Sequence, residues 1–67
     1  MIQGSPPTKL EIAARLRGLA EQMIDVAAAM DYYGGFAGWA EHGPQLAGAG
    51  AIAQQWADEI EAQEAAP

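Results

Sequence analysis

The sequence predicts an all-α fold: an antiparallel helical hairpin with helices over about residues 9–33 and 44–63, dimerising into a four-helix bundle. Three observations carry this prediction. Two stretches have helical apolar periodicity, a glycine-rich connector lies between them, and the apolar arc of the first helix is wider than a two-helix contact requires.

Residues 1–7 contain Gly4, Ser5, Pro6 and Pro7 and are expected to form a loose tail before a single domain over 8–64, with 65–67 as a second tail. Thr8-Lys9-Leu10-Glu11 matches the S/T-x-x-E capping box, in which the Thr hydroxyl and the Glu carboxylate each satisfy a backbone N–H left unpaired at a helix start. Behind it Ile12, Leu16, Leu19, Met23, Val26, Met30 and Tyr33 repeat with spacing 4-3-4-3-4-3, an unbroken heptad seam. Ala13, Ala20, Ile24 and Ala27 continue the arc until about half the circumference is apolar, which calls for two neighbouring helices rather than one. Ala20, Ile24 and Ala27 are therefore the candidate dimer face. Gly18 sits on the wet side, where it costs about 1 kcal/mol relative to Ala, and the sequence offers no compensating reason for it.

Gly43-Pro44 signals the second helix start, since Pro is tolerated at the first helical position; a short turn around Ala37 to Glu41 precedes it. Leu46, Ala49, Ile52, Ala53, Trp56, Ala57 and Ile60 supply an apolar face. The run Ala47-Gly48-Ala49-Gly50-Ala51 is small enough for another helix to approach closely, and weak enough in helix propensity that tertiary contact must hold it. A connector of roughly ten residues folds the helices antiparallel, with Tyr33 near Pro44 and Leu16 near Glu61, so that the acidic end of the second helix runs beside Arg15 and Arg17.

Four of the five aromatic residues, Tyr32, Tyr33, Phe36 and Trp39, share the connector region with Gly34, Gly35 and Gly38. Such rings either plug the end of a small helical core or anchor a partner; Tyr33 belongs to the seam, and at least one of the others is expected to face outward. A helical hairpin with tryptophan in its turn resembles the WXG secretion-substrate family, but Trp39-Ala40-Glu41 lacks that family's glycine, and the resemblance assigns no family.

The nine carboxylates and three strong bases give a formal net charge of −6, and residues 18–67 hold no Lys or Arg at all. Direct nucleic-acid binding needs clustered cations and is not expected. The acidic surplus fits either a solvated surface or recognition of a basic protein surface. No stretch approaches the roughly 20 apolar residues of a membrane span and the N-terminus has no signal-like pattern, so a cytoplasmic location is the expectation.

Catalytic and metal chemistry finds little material. His42 is the only histidine and cysteine is absent, so no metal or cofactor is expected. Ser5 lies in the tail and Thr8 is needed as a cap, which leaves no hydroxyl nucleophile with a base beside it. The glycines at 34, 35 and 38 match no phosphate-binding fingerprint. Asp31 borders both the aromatic cluster and the apolar arc, where a cap or salt-bridge role is the simplest reading.

These features point to a small acidic, non-enzymatic protein-interaction module, one form of which is an inhibitor carried by a phage or other mobile element that occludes a host protein. The candidate partner-binding residues are Tyr32, Phe36 and Trp39 in the connector and Glu21, Asp25, Asp58 and Glu59 on the acidic surface. A structural or accessory subunit of a larger assembly, or a small-molecule-binding bundle, are the readings from other classes.

Overall fold

The computed structural model describes residues 5–66. It is an all-α hairpin of two helices, α1 (Lys9–Tyr32) and α2 (Trp39–Ala65), with no strand among the described residues. Of the expected N-terminal tail, residues 1–4 lie outside the described part, as does Pro67; Ser5, Pro6 and Pro7 are exposed and non-helical.

The start of α1 follows from its sequence. Glu11 N–H donates to Thr8 Oγ1 at 3.1 Å and Thr8 N–H donates to Glu11 Oε1 at 2.7 Å, closing the capping box.

The start of α2 differs from expectation. It begins at Trp39, and the turn expected around Ala37 to Glu41 merges with it, so Pro44 lies inside the helix rather than at its first position. The cause is the backbone at residues 37 and 38. Ala37 has φ 49° and Gly38 has φ 77°, successive left-handed residues that reverse the chain within a few residues. Gly38 then acts as N-cap, its carbonyl accepting from both Glu41 and His42 N–H. Pro44 has no N–H to offer the Ala40 carbonyl, but both residues are exposed, so solvent can take that bond.

An early α2 leaves a connector of six residues, 33–38, instead of ten, and the pairing register moves with it. The helices meet at Ala27–Gly43 and Ala20–Gly50, and the same seven-residue step leads to Ala13 and Ala57. These residues, with Ala53, are the buried ones of the hairpin. The contact is too close for larger side chains. A Cβ on Gly43 would lie 3.2 Å from the Ala27 carbonyl oxygen; one on Gly50 would lie 3.1 Å from the Ala20 carbonyl oxygen and 2.9 Å from Ile24 Cγ1. The heptad seam of large residues is thus not what joins the two helices. A parallel stripe of Ala and Gly with the same period does, because it brings the backbones together and gains dispersion contacts over the whole length.

Candidate protein-interaction surfaces

Joining the helices through small residues creates a single layer, 12 Å deep along its shortest axis, with two unlike sides. Side chains at equal angular offsets from the Ala/Gly seam of either helix share a side of the layer. On one side lie Ile12, Leu16, Leu19, Met23, Val26 and Met30 of α1. Leu46, Ala49, Trp56 and Ile60 of α2 lie beside them. Much of this side is open to solvent: Leu19 is 50 % exposed, Val26 51 % and Trp56 54 %. Between the Lys9–Glu64 pair near the chain ends and the connector, it carries no carboxylate, and Arg15 stands only at its margin.

The other side is charged. Arg17 reaches across the seam, donating Nε–H to Glu61 Oε2 at 3.0 Å and Nη2–H to Glu61 Oε1 at 2.6 Å, with a further Nη2 contact to Asp58. The two-pronged bond to Arg17 holds the Glu61 carboxyl below its ordinary range, and the same carboxylates raise the guanidinium. This cluster realises the expected alignment of the acidic end of α2 with Arg17 and opposes parallel pairing. About 10 Å further along α1, at about 1.5 Å per residue, the same side holds a shallow hollow of about 280 Å³ that begins at Ile24.

The sequence-predicted residues separate accordingly. Ala20 and Ala27 are enclosed between the helices, where a second copy cannot reach them, and Ile24 packs at the rim of the seam against Gly50. Glu21, Asp25 and Glu59 are exposed, while Asp58 is exposed and bonded to Arg17. At the connector and the helix ends that flank it, Tyr32 is 82 % and Phe36 63 % exposed, and Trp39 is half-buried. Tyr33, expected to continue the seam inward, is also exposed. The rings pair edge to face, Tyr32 with Tyr33 at 4.9 Å between centroids and Phe36 with Trp39 at 5.1 Å. They do not plug a core, because a two-helix layer has no enclosed end to plug.

Among the described residues no three His, Cys, Asp or Glu side chains converge as a metal site would require, and no helix is long and apolar enough to cross a membrane. His42 Nδ1 lies 3.4 Å from Gln45 Oε1, within its own helix. Reasoning from sequence missed the large apolar side as the exposed surface. The available signal was the matching seven-residue spacing of Ala13, Ala20 and Ala27 with Gly43, Gly50 and Ala57.

No protein-family model matches the chain, and comparison with curated proteins and with solved structures gives no match.

Proposed function

We propose that this chain is a non-enzymatic protein-interaction module that self-associates through its large apolar side into a four-helix bundle, leaving the acidic side and the aromatic connector for a protein partner. The observation that carries this reading is the continuous, carboxylate-free apolar side with Leu19, Val26 and Trp56 half exposed. Exposed contiguous apolar surface of this kind marks an interaction site.

A second copy fits it for two reasons. Two helices of about 10 Å width and about 36 Å length present on the order of 700 Å², close to the about 800 Å² per partner of a stable interface. Face-to-face stacking also turns the carboxylates of both copies outward, so a net charge of −6 on each chain opposes association only weakly. The heptad period over α1 suits knobs-into-holes packing in the resulting bundle.

The acidic outer surface supports a basic protein surface as the further partner, and an inhibitor from a phage or other mobile element that occludes a host protein is one concrete form of such a module. Its place of action would then be the cytoplasm.

Sedimentation or light scattering at micromolar concentration should report about twice the chain mass, with a blue-shifted Trp56 emission. Leu19→Asp and Val26→Asp should each produce monomers that keep their helicity, because neither residue lies in the Ala/Gly seam. A folded, monodisperse wild-type monomer would refute the proposal.

A further inference from the structure

We propose that the Ile24 hollow is a socket for a lysine or arginine side chain presented by a basic amphipathic helix of a protein partner. The proposal rests on the chain being an interaction module, but not on its being a dimer, since the hollow lies on the opposite side of the layer from the apolar surface.

The shape and chemistry of the hollow select the occupant. Its walls are apolar, formed by Ile24 and Ala28 of α1 and by Pro44 and Ala47 of α2, over the seam pair Ala27 and Gly43. It is a shallow hollow of about 280 Å³, open to solvent rather than enclosed, so it suits one inserted side chain rather than a whole buried ligand. At its edge stands Asp31, whose carboxylate makes no hydrogen bond or ion pair with any described residue.

The chain's own cations are occupied or remote. Arg17 is held by Asp58 and Glu61, and Lys9 pairs with Glu64. A side chain with an apolar stem and a cationic tip satisfies both parts of the site, its methylenes covering Ala28 and Ala47 while its charge reaches Asp31. Glu21 and Asp25, exposed on the α1 margin of the same side, extend the negative potential along the line a helix would follow. Asp31 thereby has a role that neither capping nor an internal salt bridge fills.

The test uses the full chain, isotopically labelled for NMR, and two synthetic probes: a fifteen-residue amphipathic helical peptide with leucine on one face and lysine on the other, and the same peptide with every lysine Nε-acetylated. The lysine peptide should shift the amide signals of Ala28, Asp31 and Ala47. Asp31→Asn, and acetylation of the probe, should each weaken binding about twofold to fivefold, as expected for an exposed ion pair. Ala47→Met, which fills the hollow without changing charge, should weaken it as much or more; Ala28→Met on the other wall serves if the first variant fails to fold.

Equal binding of the acetylated probe, indifference to the filled hollow, shifts confined to Leu19, Val26 and Trp56, or no binding at all would each overturn the socket. Translational diffusion measured in the same samples before peptide addition reports whether the free chain is a dimer, so the two proposals fail separately.

Discussion

At the scale of single residues, the glycines divide by what surrounds them rather than by where they stand in the sequence. Gly18 and Gly48 both lie in helices, and a Cβ on either meets nothing within 4 Å. Replacing each by Ala should stabilise the hairpin by about 0.8–1 kcal/mol, the ordinary helix-propensity gain. Gly50 looks no different in the run Ala47-Gly48-Ala49-Gly50-Ala51, yet its missing Cβ lets the Ala20 carbonyl oxygen approach, and a backbone oxygen cannot rotate away as a side chain can. Gly50→Ala should therefore lower the melting temperature despite its better propensity, by an amount typical of overpacking, about 1–3 kcal/mol. Thermal melts of Gly18→Ala, Gly48→Ala and Gly50→Ala check this, and a rise in all three would contradict the observed register. The sequence shows that these positions are small but not which of them touches a neighbour, because that depends on a pairing set from outside the helix.

At the scale of the elements, α1 was legible almost to the residue. A capping box marks its beginning, and apolar period 3.5 carries it to the connector. Which stripe of α1 faces α2 was not legible. Hydrophobicity ranks Leu16, Leu19, Met23 and Val26 above Ala13, Ala20 and Ala27, but both stripes repeat every seven residues, and the period alone cannot say which is used at close range. The same ambiguity hides the register: starting α2 at Trp39 instead of Pro44 shifts the pairing while keeping apolar faces opposed. The direction of pairing was legible because Arg17 had carboxylates to meet only near the far end of α2. That contact makes a pH-dependent contribution. Arg17 depresses the Glu61 carboxyl, so the stabilisation is complete above the unfolded value of about 4.3 and disappears as pH falls through the lower folded value. Arg17, raised from an already high value, stays charged throughout. Glu61→Gln should melt at a lower temperature than the parent at pH 7, and the two should converge as pH falls below the depressed Glu61 value. Melting temperatures that differ by the same amount at every pH would show that the ionised Glu61 makes no pH-dependent contribution.

At the scale of the whole molecule, the Ala/Gly seam decides the function that can be built on the fold. Large residues in the seam would have filled the chain's apolar material inward and left a polar surface; small ones leave that material outside, on one side of a thin layer. Charge is sorted the same way, since Arg17, Asp31, Asp58 and the hollow share the side opposite Leu19, Val26 and Trp56. The candidate site was only half legible for this reason: the aromatic and acidic residues could be named in advance, but not the exposure of Tyr33 or the sidedness, which follow from the pairing. Sorting of this kind gives the two sides opposite responses to salt. Raising ionic strength from about 0.01 to 1 M shortens the screening length from about 30 to 3 Å. Association through the apolar side should be unchanged or tighter, because its contacts are uncharged and screening relieves the repulsion between two chains of net charge −6. Binding of a basic helix to the Asp31 side should weaken over the same range, mainly through slower association. Measuring the dimer dissociation constant and the peptide on-rate across one salt series checks both. If dimer and peptide complex weaken together, the charged side takes part in self-association, and the division of labour between the two sides is lost.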